Sequence, residues 1–296
     1  MSASLLIPQH VSYIQDLGKN KDLAYHLTAH LRMNGVYWGL TALHIMGHPE
    51  ALDREETIAY VLSCWVDEEG AFGAHPGHDP HLHSSLSAIQ VLLMVDAIDK
   101  IPDVDRLVKY ILSLQHPSGV FAGDKWGEYD TRFTFCAINA LSLLGRLVDL
   151  DIPKTVEYIE QCRNYDGGFG STKGAESHAS QGTLAILDRL DLVEVPTLAW
   201  WLAERQLPNG GLNGRPEKLE DVCYSFWVLS SLAVLNKVHW IDAEKLIQFI
   251  LSAQDTDNGG IADRPGDVAD VFHTVFGVAG GWDCLSSEVT KPQLVR

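Results

Sequence analysis

Five stretches of this chain follow one plan. A helix-patterned segment ends, a Gly-rich turn carries one apolar residue, and a second helix-patterned segment begins. The stretches are Tyr60–Gly73 (YVLSCWVDEEGAFG), Tyr110–Gly123 (YILSLQHPSGVFAG), Tyr158–Gly170 (YIEQCRNYDGGFG), Trp201–Gly214 (WLAERQLPNGGLNG) and Phe249–Asp263 (FILSAQDTDNGGIAD). The apolar turn residues Phe72, Phe121, Phe169, Leu212 and Ile261 are 49, 48, 43 and 49 residues apart. A period of that size is one helix pair with two turns, and such pairs bury a continuous core only by stacking. Apolar residues recur at intervals of three and four, as in Leu107, Tyr110, Ile111 and Leu114, and β-branched alternating runs are absent. The expected class is all-α.

Within each pair the second helix is the more apolar: Val36–Met46, Leu86–Val95, Phe133–Leu144, Leu184–Leu190, Tyr224–Leu235 and Phe272–Val278. The first helices carry more charge, for example Asp53–Cys64 and Asp105–Gln115. Apolar helices are expected inside and amphipathic ones outside. Six or so pairs form either an open solenoid or a closed α/α barrel, and both remain open at this level. The 43-residue interval predicts a shortened inner helix near 177–190, by about a turn and a half. Residues 1–20 read as a lead-in, 21–280 as the repeat domain, and 281–296 as a divergent, truncated tail without apolar periodicity.

The formal charge of −17 argues against nucleic acid, because phosphate repels an acidic surface. No apolar run reaches the roughly 18 residues that span a bilayer, and the first ten residues lack the basic start of a signal peptide. Five Cys at irregular spacing suggest free thiols or a mixed-ligand metal site in a reducing compartment, hence the cytoplasm.

The repeat phase singles out chemistry. His83, Arg132, His178, Cys223 and His273 lie 11, 11, 9, 11 and 12 residues after their turn residues, as though one slot at the start of each inner helix held a His, Arg or Cys. In a closed barrel they would ring one rim. Asp221, Cys223 and His273 suit zinc, which takes mixed S, N and O ligands and leaves a fourth position open with three. Asp221 and Cys223 converge only if Asp221 still lies in the turn before the helix. Arg215, Lys218, His178 and Tyr224 are hydrogen-bond donors suited to a diphosphate and to the charge it gains on leaving. Asp263 is either a magnesium ligand on that diphosphate or a turn-capping residue. Trp38, Phe135 and Trp227, all on inner helices, are either core or the lining of an isoprenoid slot.

With those residues in view, the chain resembles protein prenyltransferase β subunits, most closely the Rab geranylgeranyltransferase (type II) branch. The resemblance runs from about Leu31 to Gly280 through LRMNGVYWGLTAL, FAGDKWGEYDTRFTFCA, DGGFGSTKGAESHASQ, GGLNGRPEKLEDVCYSFWVL and GGIADRPGDVADVFHT. It implies an α6–α6 barrel. It implies one zinc per chain on Asp221, Cys223 and His273, the catalytic centre together with Tyr224. It implies diphosphate binding by His178, Arg215, Lys218 and Tyr224, and a lipid pocket of Trp38, Phe135 and Trp227. Asp263 matches a magnesium-linked carboxylate of the farnesyl branch. The implied activity is transfer of geranylgeranyl from its diphosphate to C-terminal cysteines of Rab GTPases. The implied partners are an α subunit and a Rab escort protein.

The chain departs from the family pattern after Gln181, at Asn34, where a smaller residue is usual, and after Gly280. Rival readings are a farnesyl or type-I geranylgeranyl β subunit, a catalytically impaired variant acting as a scaffold, and a terpene cyclase. The last requires an acidic Asp-x-Asp-Asp cluster, which is not found.

Overall fold

The computed structural model describes residues 4–19, 21, 23–178 and 182–286. Its helices in chain order are α1 (Ile7–Asp16), α2 (Leu23–Leu27), α3 (Arg32–Met46), α4 (Arg54–Ser63), α5 (Leu82–Met94), α6 (Val104–Ser113), α7 (Thr131–Leu143), α8 (Ile152–Gln161), α9 (Thr183–Ile186), α10 (Val195–Ala203), α11 (Tyr224–Val234), α12 (Ala243–Ser252) and α13 (Val271–Ser286). Two minimal hairpins accompany them: β1 (Trp65–Val66) with β2 (Ala71–Phe72), and β3 (Phe169–Gly170) with β4 (Ser177–His178), both antiparallel. The chain divides into two compact units. The first comprises residues 1–19, 38–51 and 195–296, the second residues 20–37 and 52–194.

The second unit shows how a helix pair is built. Asp53, Asp103 and Asp151 cap α4, α6 and α8, each carboxylate accepting the backbone N–H three residues on. These first helices bury one face only, Leu107, Val108, Tyr110 and Ile111 in α6, whereas α5 is buried almost all round and packs against α7. Between them the turn residues Phe72, Phe121 and Phe169 are buried to 2% exposure or less. The pairs are stitched in register. The N–H groups of Leu82 and Thr131 bond the carbonyls of Gly123 and Ser171, each two residues past the next turn residue (2.8 and 2.9 Å). The shortened inner helix is real. α9 has four residues where α5 and α7 have thirteen, so the loss exceeds the turn and a half expected. At its start Gly182 replaces the hydroxyl that Ser85 and Thr134 offer to the Phe72 and Phe121 N–H groups, and a Cβ there would meet the Phe135 ring at 2.8 Å. Residues 179–181 of the expected helix lie outside the described residues.

The first unit repeats the plan. Asp242 caps α12, Leu212 and Ile261 are fully buried, and the Val222 N–H bonds the Asp263 carbonyl (2.8 Å) in the same stitch. The recurring turn glycine explains the place of α1. A Cβ on Gly70, Gly119 or Gly210 would strike Arg106, Lys154 or Lys245, the third residue of the next first helix. On Gly259 it would strike Gln9, the third residue of α1. α1 therefore fills the slot of a first helix beside the last turn. α13 continues six residues past Gly280, where the sequence pattern ended, and residues 287–296 of the expected tail lie outside the described residues. Gly277 and Gly280 let α13 close on α11, since a Cβ on them would meet Val222 and Ser225.

Candidate metal centre and substrate site

The stitch between Val222 and Asp263 decides where the chemistry lies, because it lays the turn before α11 against the start of α13. Asp221 remains in that turn. Its Oδ1 accepts the Cys223 N–H at 2.8 Å, and Cys223 is the N-cap residue of α11. The condition for an Asp-x-Cys pair to converge is thus met. One ligand atom each from Asp221, Cys223 and His273 lies within 4.8 Å of the other two. Cys223 is 3% exposed, and the four cysteines whose side chains are described are all free and buried.

His273 is aimed. Its Nδ1 lies 2.6 Å from Asp270 Oδ2, and Asp270 Oδ1 also accepts the His273 N–H at 2.8 Å. Its Nε2 is 3.2 Å from Asp221 Oδ1 but off the hydrogen-bonding direction, and so is buried without a hydrogen-bond partner. A buried ring nitrogen with its other nitrogen fixed by a carboxylate has the form of a metal-ligating histidine. Electrostatics agrees. Burial disfavours a charged His273, yet the neighbouring Asp221 and Asp270 carboxylates together outweigh burial and raise its pKa to about 9. Burial likewise opposes ionisation of Asp221, but the nearby His273 ring and the Cys223 N–H bond bring its pKa below the ordinary value. Burial, then the Asp221 charge, pushes the Cys223 thiol up. A divalent cation would replace the imidazole and thiol protons and offset the crowded carboxylate charge. The residues therefore fit a metal ion.

The repeat phase needs one correction. His178 does not start an inner helix; it sits in β4 opposite Phe169. Nine residues after each turn residue stand His81, Asp130, His178, Asp221 and Asp270. In the other four copies this residue bonds the turn residue's carbonyl through its N–H and accepts, through its side chain, a backbone N–H at the start of the next helix. His83, Arg132, Cys223 and His273 follow it. His178 is thus the counterpart of Asp221 and not of Cys223. Asp270 was missed, and counting nine residues rather than searching for reactive side chains would have found it.

Arg215, Lys218 and Tyr224 all lie in the first unit, Arg215 near enough to Tyr224 for its charge to act on the phenol. The loop is held by Asn213 Nδ2, which donates to the Lys218 carbonyl at 2.8 Å, and Gly214 leaves room for the Tyr224 phenol. The phenol is pushed up to about 12, by burial first and by Cys223 and Asp221 next, with the nearby Arg215 charge acting the other way. His178 and Phe135 belong to the second unit. The Asp263 carboxylate is 2.8 Å from the Arg264 guanidinium and stands outside the Asp–Cys–His group.

Trp38 and Trp227 meet an aromatic partner the sequence reading omitted. Phe272 packs edge-on to both, at 4.9 and 6.0 Å between centroids, and Phe276 lies 5.5 Å from Trp227. All four are partly exposed although they stand on the most apolar helices. Core aromatics there would be buried, so this cluster faces open space. Phe272 and Phe276 are one helical turn apart on α13, a spacing visible in the sequence.

A helical repeat with a half-buried Asp–Cys–His centre, an arginine near its neighbouring phenol and half-open aromatics defines a class, and comparison with known proteins agrees. The prenyltransferase alpha-alpha toroid domain matches residues 5–285, and the chain belongs to that family; its fold class is accordingly the alpha-alpha toroid. It is 51% identical to the geranylgeranyl transferase type-2 subunit beta of Saccharomyces cerevisiae, over 96% of this chain and 92% of that protein. It is 51% identical to geranylgeranyl transferase type-2 subunit beta 1 of Arabidopsis thaliana, over 93% and 87%. Identity to the Schizosaccharomyces pombe protein farnesyltransferase subunit beta is 29%, over 94% and 78%. Among solved structures, Candida albicans protein geranylgeranyltransferase-I complexed with GGPP superposes with a TM-score of 0.82 over 96% of this chain and 92% of that one. At 23% identity this speaks for the fold alone.

Proposed function

We propose that this chain is the catalytic β subunit of a Rab geranylgeranyltransferase, working with an α subunit and a Rab escort protein in the cytoplasm. It would transfer geranylgeranyl from its diphosphate to C-terminal cysteines of Rab GTPases. The observation that carries the catalytic part is the convergence of Asp221, Cys223 and the orphaned His273 Nε2. The relatives' names supply the lipid and the type.

Zinc held by those three residues would keep an acceptor cysteine as its thiolate at neutral pH. Cys223, committed as a ligand, is then not the nucleophile. The acceptor sulfur forms a bond to C1 of the lipid as the C1–oxygen bond breaks, and the diphosphate departs with the electron pair. Arg215, Lys218 and Tyr224 would donate to that diphosphate and stabilise its growing charge, a role that the family resemblance also implies for His178. Trp38, Trp227, Phe272 and Phe276 would hold the hydrocarbon at about 0.8 kcal/mol per buried CH2, as the resemblance also implies for Phe135. Magnesium at Asp263 would have to displace Arg264.

The test is metal quantification with a transfer assay in the presence of the α subunit and escort protein, using geranylgeranyl and farnesyl diphosphates. One zinc per chain and geranylgeranyl transfer to a Rab support the proposal. Preference for farnesyl sends the chain to the other branch. Partner binding without metal or transfer makes it a scaffold, the outcome that the four-residue α9 would explain.

A further inference from the structure

The last turn of the repeat differs from the others in what holds it. In the second unit Gln115 Nε2 reaches Thr155 Oγ1 on the next first helix at 2.9 Å. In the first unit Gln206 and Asp242 exchange two bonds, of 2.8 and 2.9 Å. Gln254 holds the same position after α12, and its partner is α1. Its Oε1 lies 2.9 Å from His10 Nε2 and accepts the Leu6 N–H at 2.9 Å.

His10 is fully buried, and its Nδ1 accepts the Gly260 N–H at 2.9 Å. That acceptor role places the ring proton on Nε2, which donates to Gln254. Three residues on, Tyr13 Oη donates to the Ala269 carbonyl at 3.1 Å, and a Cβ on Gly260 would meet both Tyr13 and Ala269. α1 therefore grips residues 260–269 at both ends. This loop delivers the metal centre. Ile261 follows Gly260 and bonds both to the Asp270 N–H and to Thr274 Oγ1. Asp270 follows Ala269 and aims His273.

We propose that α1 is a positioning element of the metal centre, in which His10 and Tyr13 clamp the 260–269 loop and so hold Asp270 and His273 in ligating geometry. Neither side chain touches a ligand; both act through two consecutive backbone links. The inference rests on the metal assignment made above.

The experiment is a Co2+ titration of the full-length chain purified with its α subunit, followed by the cobalt–thiolate and ligand-field absorption bands. Tyr13→Phe and His10→Leu should each weaken Co2+ binding about three- to tenfold, less than the 10–100-fold typical of a direct outer-shell partner, and should alter the ligand-field bands. His10→Asn, whose amide oxygen can accept the Gly260 N–H, should restore most of the affinity. Gln115→Leu removes the equivalent clasp of the second unit and should leave affinity and bands unchanged even where it lowers the melting temperature. Unchanged affinity in both α1 variants, or equal weakening by Gln115→Leu, overturns the clamp alone. Absence of a cobalt–thiolate band in the unaltered protein overturns the metal assignment and the clamp with it.

Discussion

The same backbone slot is filled twice in the second unit and twice in the first, with opposite results. At the start of α7, Asp130 caps the Arg132 N–H at 2.7 Å, and the Arg132 guanidinium returns to both carboxylate oxygens at 2.7 and 3.0 Å. At the start of α5, His81 caps the His83 N–H at 3.1 Å. In the turn before α11, Asp221 accepts the N–H of Cys223, and at the start of α13 Asp270 accepts that of His273. There the following residue is a thiol, or an imidazole that bonds its capping carboxylate through Nδ1 and leaves Nε2 open. Asp130 is satisfied by its own neighbour, whereas Asp221, Cys223 and His273 turn toward one another and leave His273 Nε2 without a hydrogen bond. The scaffold supplies the geometry, and a two-residue choice in each repeat decides whether it becomes a closed ion pair or an open ligand set.

The sharpest break of that contrast is to remove a ligand. Cys223→Ser and His273→Ala should abolish stoichiometric zinc and lower kcat/KM for prenyl transfer by at least about a thousandfold, several kcal/mol of transition-state stabilisation. Arg132→Ala, in the matching slot, should leave zinc at one per chain. Metal analysis after chelator dialysis separates the two outcomes. Asp270→Asn comes next. It keeps the cap on the His273 N–H and removes the charge that fixes the ring, so metal affinity should fall about 10–100-fold with little change in melting temperature.

The repeats, the class, the short α9 and the Asp–Cys–His set were legible from spacing alone, since each turn residue recurs in register. His178 was misplaced because the count was taken to a reactive residue and not to a backbone position. Its side chain looked like Cys223's equivalent, while its position nine residues after Phe169, paired opposite that residue, belongs to the capping row. Phe272 and Phe276 escaped notice because partial exposure on an apolar helix is a property of packing, not of sequence. The reach of α13 past Gly280 and Gly281 was hidden for a related reason. Apolar periodicity stops there, but at Gly280 close approach to Ser225 of α11 offsets the roughly 1 kcal/mol of lost propensity.

Acid provides a smaller effect that separates the α1 clasp from the glutamine clasps. Burial lowers the His10 pKa below 6.5, with the Gln254 bond acting in the opposite direction. In the unfolded chain the value is near 6.5, so below that pH the unfolded state binds a proton that the folded state refuses. Stability should therefore be lost as pH falls from about 6.5 toward the folded value, by at most about 1.4 kcal/mol per pH unit. His10→Asn should flatten that slope in melts between pH 7.5 and 5.5. Gln115→Leu should lower the whole curve without changing its slope, because neither the Gln115 amide nor the Thr155 hydroxyl titrates in this range.

The smallest effect bears most directly on the opening contrast. Asp130→Ala removes the cap of α7 and strands Arg132, which is about half exposed and can turn to water. The expected loss is about 1 kcal/mol, the usual cost of an N-cap, with zinc content unchanged. Asp221→Ala removes the corresponding bond to the Cys223 N–H before α11, and as a turn bond it should cost no more. If it also strips the metal while Asp130→Ala does not, the two carboxylates do the same structural work and only one does chemistry. Equal melting losses with unequal zinc would establish this. Equal zinc would mean that the Asp221 side chain makes a turn bond and nothing else.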